Sequence, residues 1–155
     1  MPYLVHVSSV AMEVIAALQA EPGHDDDLAV TAAPLYDVVE DTSTTVEVVA
    51  AALGPRAAGV SALTESAALD KPAAMTDTLA RILKQPLEIA IVKLGDRVIN
   101  LAPPPPRWSA PKVAAYRAEA QTILDALGAA SPFLSARLAE RSRTYPPEPP
   151  GRSAS

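Results

Sequence analysis

The chain has 155 residues, of which 49% are hydrophobic but only 4% aromatic, with no cysteine and a formal net charge of −5. That length suits one domain folding on an aliphatic, alanine-rich core without cross-links. The composition excludes disulfides and thiolate metal ligands, and the acidic balance offers nucleic acid or anionic lipid no long-range attraction.

No run of about 18 apolar residues is free of both charge and proline, so no membrane span is expected. The Met1-Pro2-Tyr3 start lacks the basic-then-apolar pattern of a secretory leader, which makes the cytoplasm the default expectation. Residues 4–20 align Val7, Val10, Val14, Ala17 and Leu18 on one stripe, which predicts an amphipathic helix ended by Pro22-Gly23. His6 falls in its first turn, where a histidine among apolar residues is more often structural than a ligand. His24 and the three aspartates after it read as a helix cap, with His24 facing solvent.

A helical period runs from Leu28 to Asp41, with Pro34 inside it expected to kink the helix or free a carbonyl. At its end Asp37, Glu40 and Asp41 stand at i, i+3 and i+4, so three carboxylates share one helix face. A divalent cation would hold them together; a solvated acidic helix end is the alternative. Thr44 to Glu47 has capping-box spacing, Gly54 can close the helix that follows, and Pro55 opens another to about Leu63. Residues 66–75 read as a surface loop before a helix at 76–84, with Lys71, Arg81 and Lys84 as solubilising charges.

Pro86 opens the most apolar segment, 87–101, whose apolar residues cover most of the circumference and mark a central helix. Asp96 inside it needs a partner, and a salt bridge to Lys93 or Arg97 is the structural alternative to a functional role. Residues 102–106 are a stiff polyproline-like spacer. Ser109 and Pro111 begin a helix that Gly128 stops, Ser131-Pro132 begin the last, to about Thr144, and residues 146–155 are expected to be disordered. With no strand alternation, the prediction is an all-α domain of about seven helices over residues 3–145.

Taken in order, His6, Asp37, Glu40-Asp41 and Asp96-Arg97 resemble the HD-domain metal-dependent phosphohydrolases. The pattern looks most like the hydrolase domain of the RelA/SpoT family and the small alarmone hydrolases of the metazoan SpoT homologue type, which remove the 3′-pyrophosphate of guanosine tetraphosphate (ppGpp). Tyr3 to His6 matches YxxH, Leu35 to Thr42 matches LHDxVEDT, Val92 to Leu101 matches VKLADRxxNL, and Trp108, Tyr116 and Glu119 fit the helix that follows. The resemblance implies an HD-type helical bundle with a divalent metal, normally manganese, on His6, Asp37 and Asp96. It implies Glu40 and Asp41 as the pair that activates water, Asn100 near the nucleotide sugar and Arg97 beside the site. A phosphorylated nucleotide is the implied partner. The chain departs from the pattern at Tyr36, which stands where the second metal-binding histidine belongs, and at Val7 and Ala102. Only five residues precede His6, so the expectation is that either the true start lies upstream or the site lacks the wall that the family's first helix, with its Arg-Lys pair, would make. The implied activity is a 3′-pyrophosphohydrolase with a degenerate metal site; the alternative is an inactive HD-fold domain that binds a nucleotide or a protein.

Overall fold

The computed structural model describes residues 2–41 and 44–147, leaving out the side chains of residues 37–41 and 46. Among them run eight α-helices: α1 (Tyr3–Ala20), α2 (Asp26–Asp41), α3 (Val46–Leu53), α4 (Ala57–Leu63), α5 (Lys71–Ile82), α6 (Leu87–Asn100), α7 (Ala110–Leu127) and α8 (Pro132–Arg143). Short 3₁₀ turns lead into α4 and α8. No strand is present among the described residues, so the all-α expectation holds.

Helix α6 is the axis. Every residue from Glu88 to Val98 is buried, and α1, α2, α4, α7 and α8 pack around it. A helix apolar on nearly all sides has no face left for water, and the bundle closes over it. Its acid Glu88 is buried too, where its Oε1 accepts the backbone N–H of Asp25 at 2.8 Å and lies 3.5 Å from His24 Nδ1. His24 is therefore held against α6 and does not face solvent. Asp25 caps α2 by accepting from Leu28 N at 3.0 Å. Helix α4 approaches α6 closely because Gly59 has no Cβ; one built there would collide with the buried Ile89.

By length and composition alone α1 could cross a membrane, with mean hydropathy 1.4 over 18 residues. Its Val7, Val10, Val14, Ala17 and Leu18 are instead buried in this bundle, facing α2 and α6.

Two helix starts differ from expectation. Thr45, not Thr44, caps α3, accepting from Val48 N at 3.4 Å; Val48 then holds the third position, where a capping box needs an acid. Helix α5 begins at Lys71, inside the expected loop, because Asp70 accepts from Ala73 N at 2.9 Å and Pro72 suits a first turn. Arg81 is no solubilising charge. Its guanidinium donates to the carbonyls of Ser61, Ala62 and Thr64 at the end of α4.

Glu21 joins the end of α1 to the start of α8, accepting from Ser131 Oγ at 2.6 Å and from Phe133 N at 2.7 Å. Glu21→Ala is expected to cost about 1–3 kcal/mol, because a carboxylate on helix N-terminal donors is a strong acceptor. Urea unfolding would measure it, and a loss below about 0.5 kcal/mol, the level of an unremarkable surface change, would contradict this capping role.

Candidate functional site

Three helices bring the site together. His6 comes from the start of α1, Tyr36 from α2, and Asp96 and Asn100 from successive turns of α6, where i and i+4 share a face. Tyr36 and Asp96 are 3% and 5% exposed. The Tyr36 hydroxyl donates to Asp96 Oδ1 at 2.6 Å, and the Asn100 amide donates to the same oxygen at 2.6 Å. His6 Nε2 lies 3.3 Å from that oxygen and 3.2 Å from the Tyr36 hydroxyl. The buried Lys93 ammonium stands 3.7 Å from Asp96 Oδ2, one helical turn back. Burial by itself would raise the Asp96 pKa; the His6 hydrogen bond, Lys93, Tyr36 and Arg97 together outweigh it and hold the carboxyl below its ordinary value. Asp96 is thus an anion at neutral pH with donors on both oxygens. The side chains of Asp37, Glu40 and Asp41, the expected third ligand and catalytic pair, lie outside the described residues; their backbone forms the end of α2.

Arg97 turns toward α7. Its guanidinium lies 4.6 Å from the centre of the Tyr116 ring and 3.5 Å from Glu119 Oε2. Its Nε and Nη1 are buried with no hydrogen-bond partner among the described residues, which leaves donor capacity for an anion. Burial pushes the Tyr116 hydroxyl up to about 12, so it stays a neutral phenol. Lys71 reaches Glu119 Oε1 at 3.0 Å and lies 5.9 Å from the Tyr116 ring centre. Sequence reasoning placed Lys71 in a surface loop; the signal overlooked was Asp70-x-Pro72, which marks a helix start there. Trp108 meets the Tyr116 ring edge-on at 5.0 Å.

Among solved structures, the chain is similar to a metazoan ortholog of SpoT described as hydrolysing ppGpp and playing a role in starvation responses. The two share 27% identity at a TM-score of 0.77, over 94% of this chain and 83% of that one. This chain resembles the SpoT-like HD hydrolases. A second structure, of a protein from Listeria monocytogenes EGD-e, matches at TM-score 0.70 and 21% identity over 92% of this chain and 96% of that one, a likeness of fold. No family model matches the chain, and no curated protein matches it by sequence.

The SpoT-like resemblance implies a divalent cation at His6 and Asp96, and the described residues do not fit one. No group of three His, Asp or Glu side chains able to hold an ion forms among them. Two ligands at about 2.1–2.2 Å from one ion, set at right angles, lie roughly 3.0 Å apart. The 2.6 Å contacts from Tyr36 and Asn100 to Asp96 Oδ1 are shorter than that and are hydrogen bonds, not the edges of a coordination shell. Because Tyr36 gives its one proton to Asp96, His6 Nε2 meets that pair as an N–H donor, with no lone pair to offer an ion there.

Proposed function

We propose that this SpoT-like HD domain binds a phosphorylated guanosine nucleotide of the ppGpp kind without hydrolysing it at a useful rate. The observation that carries the reading is the Tyr36 hydroxyl on Asp96 at 2.6 Å, in the place of a metal-binding histidine. Water activation by a bound metal depends on an open coordination position held by the right ligand set, and changes even outside that set cost about 10- to 100-fold. The similarity to a SpoT ortholog that hydrolyses ppGpp supports the choice of nucleotide. Arg97, with two buried N–H groups unpartnered among the described residues, and Lys71 supply cationic donors beside Tyr116 and Glu119.

The second reading is a manganese-dependent 3′-pyrophosphohydrolase with a degenerate site, in which His6, Asp37 and Asp96 hold the ion and Glu40 and Asp41 serve the water. The 3.3 Å approach of His6 Nε2 to Asp96 Oδ1 supports it only if His6 turns a lone pair toward the ion in place of its N–H. Titration calorimetry of ppGpp in EDTA, paired with an assay for pyrophosphate release in millimolar manganese, separates the two. Binding in EDTA with no release above buffer is the expected result. Release that depends on manganese would establish the second reading, and heat-silent titrations in both buffers would exclude the nucleotide from both.

A further inference from the structure

We propose that the Tyr36 hydroxyl proton takes the place of the missing cation on Asp96, beside the charge balance that Lys93 gives, so that the cluster of His6, Tyr36, Asp96 and Asn100 holds together with no divalent ion and takes none up. The inference deepens the non-hydrolytic reading above and rests on it for the identity of the site, but it makes a separate claim about charge.

The six-atom arrangement around Asp96 carries the argument. A buried carboxylate without compensation is costly, and an HD-type site compensates it with a metal. Here each Asp96 oxygen already has its compensation. Oδ1 accepts from Tyr36 and Asn100, both at 2.6 Å, and has His6 Nε2 at 3.3 Å. Oδ2 faces Lys93, which is itself only 5% exposed and so has few other ways to balance its charge. An ion entering between His6 and Asp96 would have to break the two short hydrogen bonds on Oδ1. A histidine in place of Tyr36 has no hydroxyl to give. It would present Asp96 with an imidazole nitrogen, which can give up its proton to bind an ion at neutral pH where a phenol of ordinary pKa about 10 does not.

The test is thermal unfolding of the full chain with manganese or with EDTA, for the wild type, Tyr36→His and Tyr36→Phe. The wild-type midpoint should be the same in both buffers. Tyr36→His should gain a manganese-dependent rise of roughly 5–10 °C at about 100-fold over its Kd. Tyr36→Phe keeps the ring but removes the donor, and its midpoint should fall in either buffer. A wild-type midpoint that rises with manganese would overturn the inference, as would a Tyr36→Phe variant as stable as the parent, or a folded Tyr36→His variant indifferent to the metal. If Tyr36→His does not fold, the wild-type and Tyr36→Phe comparison decides alone. Failure of the nucleotide reading shows instead in calorimetry, as absent ppGpp binding, whatever the metal does to the melting curve.

Discussion

Asp96→Ala is expected to lower stability by about 3–5 kcal/mol, the range found when one partner of a buried ion pair is removed. The substitution takes a partner from three groups at once. Lys93, 5% exposed, keeps a charge with its partner at 3.7 Å gone, while the Tyr36 hydroxyl and the Asn100 amide lose the acceptor they share. Against a total near 5–15 kcal/mol, such a loss leaves the fold marginal at physiological temperature. Asp96→Asn preserves the shape but not the charge and should fall between the two, because its amide offers one acceptor oxygen where the carboxylate offered two. The comparison also has a pH signature. The folded pKa of Asp96 lies below its ordinary value of 3.8, so the carboxylate stabilises the fold fully above that value. The contribution is lost as pH falls through the lower folded pKa, since the unfolded chain then binds the proton more readily. Urea midpoints of the wild type and Asp96→Asn should therefore converge on acidification below about pH 4; a gap that widens there would show that Asp96 is not stabilised as an anion.

Arg81→Ala is expected to cost roughly 2–4 kcal/mol, although the side chain is not in the apolar core. Its Nη1 donates to the carbonyls of Ser61 and Ala62 at 2.6 and 3.1 Å, its Nη2 to that of Thr64 at 2.7 Å, and its Nε to Asp77 at 2.8 Å. The carbonyls at a helix C-terminus have no partner within the helix, and the last turn carries partial negative charge, so a guanidinium there answers both needs. Helix α4 has only seven residues and cannot rely on its own length for stability. Arg81→Lys should recover only part of the loss, because an ammonium lacks the planar fork that reaches three carbonyls and a carboxylate together. Denaturant unfolding with amide exchange at residues 57–63 would measure it. Unchanged protection of α4 in Arg81→Ala would refute the clamp.

What was legible in the chain follows the range of the forces involved. The stripe Val7, Val10, Val14, Ala17, Leu18 is a 3.6-residue period and predicted both α1 and its buried face. The apolar run from Leu87 marked α6 as the central helix, and Ser109, Ser131 and Asp25 were readable as caps because a cap acts within three residues of itself. Helix α5 begins before its apolar period becomes legible, because Asp70 caps it and Pro72 suits its first turn while residues 71–75 alternate too weakly to show a buried face.

The amino-acid order by itself determined where the helices run, which faces are apolar, and that His6, Tyr36 and Asp96 belong to three different helices. It named Tyr36 as the departure from the SpoT-like pattern. Only the tertiary structure decided what lies between those side chains, since Tyr36 is 30 residues from His6 and 60 from Asp96, beyond the reach of any local pattern. A cation and a proton can both hold an imidazole near a carboxylate; how α2 and α6 pack sets the 2.6 Å hydroxyl contact on which the proposal of a proton there rests.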